Sequence, residues 1–170
     1  MRKVLIIDTS ILCVWLAVPG KDTCGSDDNR WDKRRVDQTI QDELQAQTTF
    51  VLPLAALIET GNHIAQAPAY RFERGLALAD LLRKAADSET PWAAFSEQSS
   101  LWSPEKLKYL ADTWPKLAAQ ELSLGDATIK DVADYYAQMN YEVEILTGDK
   151  GLKAYQPSVP PDVPRRRQRR

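Results

Sequence analysis

A chain of 170 residues, 44% hydrophobic and 27% charged, is sized for one domain with a core of its own. Its net charge is −2, but five arginines crowd the last six residues, and without them the rest carries 17 basic against 24 acidic groups, a net −7. Such an acidic body is not a simple nucleic-acid clamp and suits a carboxylate-lined metal site, while Arg165, Arg166, Arg167, Arg169 and Arg170 read either as a solubilising end or as a phosphate-binding tail.

No apolar run approaches the ~18 residues of a transmembrane helix, so no membrane association is expected. The apolar start is cut short by Asp8, too soon for a signal peptide. Cys13 and Cys24 are too few for a disulfide framework or a Cys-based zinc site. A reduced, cytoplasmic protein with packed or idle thiols is the expectation.

Residues 4–7, Val-Leu-Ile-Ile, form a continuous apolar run that suits a strand buried on both faces of a parallel sheet. It ends in Asp8-Thr9-Ser10. A helix is predicted over 10–18, capped by Ser10 or Thr9 and stopped by Pro19-Gly20. Residues 20–29 read as polar loop. A charged helix follows over 31–47, with Val36, Ile40 and Leu44 as its apolar stripe.

A short β-rich run over 48–52 reaches Pro53. Next come helices over 54–66 and 71–86, an irregular aromatic stretch over 87–103, and a helix over 104–120 that Pro115 should kink or end early. The clearest helix runs over 126–140, with Ser123 as its candidate cap and Asp126 in its first turn. A strand over 142–147 delivers Gly148-Asp149. A Pro-rich spacer leads to the arginines, so residues 156–170 are expected to be a flexible tail. The alternation of strands and helices predicts a single α/β domain over 1–155, with a central, mainly parallel sheet flanked by helices.

Four acids stand out by position. Asp8 and Asp149 close apolar strands, Asp126 opens a helix, and Glu59 sits in the helix that follows the second strand. In a parallel sheet such places converge near the carboxyl ends of the strands. Carboxylates gathered there repel one another and are tolerable together when a cation neutralises them; hard oxygen ligands suit Mg²⁺ or Mn²⁺. The plainer readings are a solvated acid, one of 24, for each of them, a first-turn charge for Asp126, and a surface or supporting residue for His63.

The opening Val4-Leu5-Ile6-Ile7-Asp8-Thr9-Ser10, the segment Leu124-Gly125-Asp126-Ala127-Thr128-Ile129 and the segment Ile145-Leu146-Thr147-Gly148-Asp149 resemble PIN-domain nucleases of the VapC-like kind. Residues 53–62 resemble that family's glutamate-bearing helix. The resemblance spans about residues 1–155. It implies a metal-dependent endonuclease, usually an endoribonuclease, with Asp8, Glu59, Asp126 and Asp149 as catalytic, metal-holding acids and Mg²⁺ or Mn²⁺ as cofactor. It further implies Thr9, Ser10, Asn62 and Thr147 as supporting groups, RNA (or DNA) as substrate, an antitoxin or other protein partner, a homodimer, and a toxin or defence-effector role. The chain departs from compact VapC-type toxins in its polar insertion near 20–35, its aromatic middle and its Pro/Arg end.

Three other readings fail on particular residues. A haloacid-dehalogenase-type phosphatase needs an acid two residues after the first Asp, where this chain has Ser10. Asp8-Thr9-Ser10 is neither a dinucleotide-binding Gly-rich turn nor a P-loop. The serious alternative is a non-catalytic PIN-like RNA-binding or assembly module. Such modules are expected to lack some of these acids, and all four positions are filled here.

Overall fold

The computed structural model describes residues 1–159, and the arginines of the basic end lie outside them. The apolar run at the start forms β1 (Lys3–Ile7), followed by α1 (Thr9–Trp15). Two short strands come next, β2 (Thr23–Cys24) and β3 (Trp31–Asp32), then α2 (Lys33–Gln45), β4 (Thr49–Val51), α3 (Leu54–Gln66) and α4 (Arg71–Ala86). A 3-10 stretch (Phe95–Trp102) leads into α5 (Pro104–Ala118), α6 (Leu124–Gln138), β5 (Glu142–Leu146) and α7 (Lys150–Lys153).

The main sheet has the order β4-β1-β5 and is parallel throughout, flanked by helices in one compact unit. Leu5 lies opposite Phe50 on one side and Glu144 on the other. Val4 to Ile7 are wholly buried, as a central strand covered on both faces requires. Ile11 and Leu12 of α1, Val36 and Ile40 of α2, and Ile129, Val132 and Tyr136 of α6 join the strands in one core. Emptying one such position, as in Leu5→Ala, costs about 2–5 kcal/mol. Because β4 and β5 flank β1 on opposite sides, the crossovers diverge at the carboxyl end of β1, the switch point where α/β sheets open a crevice.

Both outer edges of the sheet are covered at one residue. At β4, the Phe50 N–H donates to Pro91 O (2.8 Å) and the Ala93 N–H donates to Phe50 O (2.8 Å), while Trp92 packs edge-on against Phe50. At β5, the Ile145 N–H donates to the Gln156 side-chain oxygen (2.9 Å), and Lys153 Nζ donates to Ile145 O (2.7 Å).

Some elements differ from the sequence reading. Trp31 and Asp32 are not helical: they pair antiparallel with Cys24 and Thr23, and the helix starts at Lys33, two residues later than predicted, where the Asp32 carboxylate caps it by accepting from Arg35 N (2.8 Å). Trp31 is buried beneath the Arg35 guanidinium, 3.7 Å from the ring centroid, which holds this hairpin to α2. Pro115 does not stop α5 where it stands, and the helix runs three residues past it to Ala118. Gln156, assigned from sequence to the tail, docks on β5. Among the described residues no helix is long and apolar enough to cross a membrane.

Candidate functional site

Asp8 directly extends β1. Its N–H donates to Leu146 O (3.1 Å), so the sheet still fixes its backbone, and the residue is only 5% exposed. Its Oδ2 accepts from Ser10 Oγ (2.8 Å), Thr147 Oγ1 (2.8 Å) and, more weakly, Ser10 N (3.4 Å). The cap of α1 is therefore Asp8, not Ser10 or Thr9. Ser10 instead turns its hydroxyl back to that carboxylate and accepts from Gly148 N (3.0 Å). All of these bonds fall on Oδ2, and Asp8 borders a cavity at this end of the sheet.

Thr147 joins the two strand-end acids. Its hydroxyl donates to Asp8 and accepts from Asp149 N (2.9 Å). Asp149 then caps α7, its Oδ1 accepting from Gly151 N (2.7 Å) and Leu152 N (3.2 Å). Both acids thus serve as helix caps, satisfying backbone N–H groups that have no partner within their helices.

Glu59 and Asp126 arrive on helices. Pro53 turns the chain straight from β4 into α3, which carries Glu59 to the same end of the sheet, where Thr9 Oγ1 donates to its Oε2 (3.1 Å). Ser123 caps α6 as predicted, accepting from Asp126 N (3.0 Å). The neighbouring Gly125 is needed for space: a Cβ there would lie 2.3 Å from Glu59 Oε1.

All four acids border one cavity of about 440 Å³, with Thr9 and Ser10 beside them. Thr147 acts from behind, through Asp8. Asn62 is exposed and takes no part in the wall; His63 does. The helix explains the exchange, because a residue four positions on from Glu59 stays closer to its face than one three positions on. Sequence reasoning passed over Cys13, Lys21, Thr23, Cys24 and Ser123 as cavity residues. The spacing of Glu59 and His63 offered a signal for His63; nothing local marked Lys21, Thr23 or Cys24.

Burial pushes the Asp126 carboxyl up to about 6, and the negative charges of Asp8, Asp149 and Glu59 add to the rise against a hydrogen bond from Ser123. Burial likewise pushes the Cys13 thiol up to about 11 and raises that of Cys24. Both stay protonated at neutral pH, which makes them poor nucleophiles and poor metal ligands.

The remaining chemistry is that of hard carboxylate and hydroxyl oxygens, the donor set of Mg²⁺ and Mn²⁺. Asp8, Glu59, Asp126 and Asp149 are the residues that could hold such an ion. They share a cavity without forming a ready cage: among the described residues no three His, Cys, Asp or Glu side chains are grouped to hold a metal ion. Mg²⁺ usually takes one or two carboxylates and keeps several waters, so the donor set fits it without such a cage.

Compared with family models, curated proteins and solved structures, the chain matches none.

Proposed function

We propose that this chain is a PIN-like, metal-dependent endonuclease that hydrolyses phosphodiester bonds, with RNA as its first substrate class and DNA as its second. One observation carries the reading: four carboxylates from four separate elements border a single cavity at the carboxyl end of the central strand.

Burial first, and then repulsion from Asp8, Asp149 and Glu59, raises the Asp126 pKa, and a divalent cation would relieve that repulsion. A bound Mg²⁺ or Mn²⁺ would supply an activated water and neutralise charge developing on the phosphate. The protein supplies orientation. The Ser10 and Thr147 hydroxyls fix Asp8 through Oδ2, Thr9 fixes Glu59, and the cap of α7 fixes Asp149. No side chain is required as nucleophile, in keeping with the protonated thiols.

The test is cleavage of single-stranded RNA and DNA by the purified chain with Mg²⁺ or Mn²⁺, with and without EDTA. Metal-dependent cleavage is expected, reduced at least about a hundredfold by Asp8→Asn, the order seen when one charge-stabilising group is lost. Cleavage undiminished in that variant would overturn the assignment. The second reading, a non-catalytic PIN-like RNA-binding or assembly module, draws on there being, among the described residues, no three side chains grouped to hold a metal ion. Binding of RNA with no metal-dependent cleavage of either strand type would favour it.

A further inference from the structure

Lys21 and His63 are the two basic side chains on the wall of the acidic cavity. They come from separate parts of the chain. His63 lies one helical turn beyond Glu59 on α3. Lys21 sits on the turn after α1, fixed by Val18 N donating to Cys13 O (2.9 Å) and Lys21 N donating to Val18 O (2.9 Å).

That turn opens the insertion carrying β2 and β3, and the insertion is pressed onto the strand-end acids. A Cβ on Gly148 would lie 2.7 Å from both Cys24 Sγ and Gly25 N, and Lys150 Nζ reaches both carboxylate oxygens of Asp28 at 3.0 Å. The insertion is therefore a built wall of the cavity. Neither Lys21 nor His63 is in an ion pair among the described residues, although four carboxylates line the same space.

A nucleic-acid strand brings one negative charge per phosphate into this acidic setting. A cation among the acids would serve the phosphate being cleaved, and the next phosphate along needs a positive partner of its own. We propose that Lys21 and His63 form a clamp for the phosphate adjacent to the scissile one, holding a single strand across the cavity. The proposal rests on the nuclease reading. Lysine suits this work as a compact charge on a flexible stem. A cavity of about 440 Å³ has the dimensions of a small-molecule pocket and can take one nucleotide, and the clamp is proposed for a single strand rather than a duplex.

The experiment measures binding of a fluorescent ten-nucleotide single strand, as RNA and as DNA, by anisotropy over a salt series. Ca²⁺ is present in one arm and EDTA in the other, beside steady-state cleavage with Mg²⁺. The double variant Lys21→Gln/His63→Gln should bind about tenfold more weakly, with its log–log salt slope reduced by about 0.7 for each phosphate no longer neutralised. Lys21→Arg should retain the slope. In cleavage the loss should be carried by KM more than by kcat, and the same sequence as a duplex should bind more weakly than the single strand.

An unchanged slope and affinity in the double variant would overturn the clamp even if the wild type cleaves. Wild-type protein that binds neither strand, or binds duplex equally well, would overturn it too. Absence of metal-dependent cleavage with a slope that still falls would overturn the nuclease reading and the place beside a scissile phosphate, and leave Lys21 and His63 as a phosphate-binding pair on a non-cleaving module.

Discussion

Gly125 and Glu59 are held so close that one methyl group would separate them: the first atom of any side chain at 125 would lie 2.3 Å from Glu59 Oε1. Gly125 lies in the first turn of α6, where alanine is the better helix former by about 1 kcal/mol. Gly125→Ala therefore sets local stability against the site. The Glu59 carboxylate is the end of a flexible side chain, so it swings aside and leaves Thr9 without its acceptor. Denaturant unfolding should change by no more than about 1 kcal/mol, while metal-dependent cleavage should fall at least tenfold. Full activity in Gly125→Ala would show that the placement of Glu59 does not matter.

Thr147 is buried, and its hydroxyl both donates to Asp8 and accepts from Asp149 N. Thr147→Val keeps the shape and removes both bonds, leaving Asp149 N without this partner and the Asp8 carboxylate with only its bonds from Ser10. This should cost about 1–3 kcal/mol in urea unfolding and lower cleavage as well. Thr147→Ser retains the hydroxyl and should recover most of both losses. A serine variant as impaired as the valine one would assign the effect to the packing of the threonine methyl group.

Asp126 makes stability depend on pH in a definite direction. Its folded pKa of about 6 stands above the usual carboxylate value of 3.8, so between these the folded state binds more protons than the unfolded one. The contribution is present in full below about pH 4 and is lost as pH rises through about 6. Asp126 is half exposed, so solvent screening limits the effect to the order of 1 kcal/mol. In EDTA, unfolding of the wild type followed from about pH 4 to about pH 7 should show this decline, and Asp126→Asn should flatten it. Mn²⁺ added at neutral pH should raise the wild-type Tm in a concentration-dependent way. An equal rise in an Asp8→Asn/Asp126→Asn double variant would place the ion elsewhere.

Several helices end on a residue with left-handed backbone that is not glycine: Ala17, Gln47, Glu121 and Asn140 all have φ between 52° and 66°. In each case the next N–H reaches back five residues, as in Thr48 N to Glu43 O (3.0 Å), the bond of a Schellman end. Non-glycine residues are strained in this conformation by roughly 1–2 kcal/mol. Gln47→Gly should therefore stabilise the fold by about 0.5–1 kcal/mol and raise the urea midpoint at unchanged m-value. A lowered midpoint would show that the Gln47 side chain contributes more than the strain it carries.

The same residues explain where the sequence misled. Helix ends predicted at 18, 47, 120 and 140 fall at Trp15, Gln45, Ala118 and Gln138, because no glycine stood at the turn to mark the stop. Strands β1 and β5 were legible because a buried central strand needs an unbroken apolar run and an adjacent edge strand needs an apolar end. The meeting of four acids at one cavity was legible too, since parallel strands deliver their carboxyl ends to one side. The hairpin of β2 and β3 was not. Each strand is two residues long, and their pairing is secured by Trp31 under Arg35, an interaction with no local periodicity. Cys24 reaches the cavity through that hairpin, and Lys21 from the turn after α1 that leads into it.

A three-stranded parallel sheet has two outer strands, and each is a template on which a foreign strand could grow. Here one backbone position on each outer strand is already taken, at Phe50 by the Pro91–Ala93 segment and at Ile145 by Gln156 and Lys153. These positions lie within short strands, where a recruited chain would have to build its ladder. The aromatic middle of the chain and the residues just beyond α7 thereby act as gatekeepers against self-templated aggregation. Cutting the chain before Gln156 would free the Ile145 N–H while leaving every acid of the cavity in place.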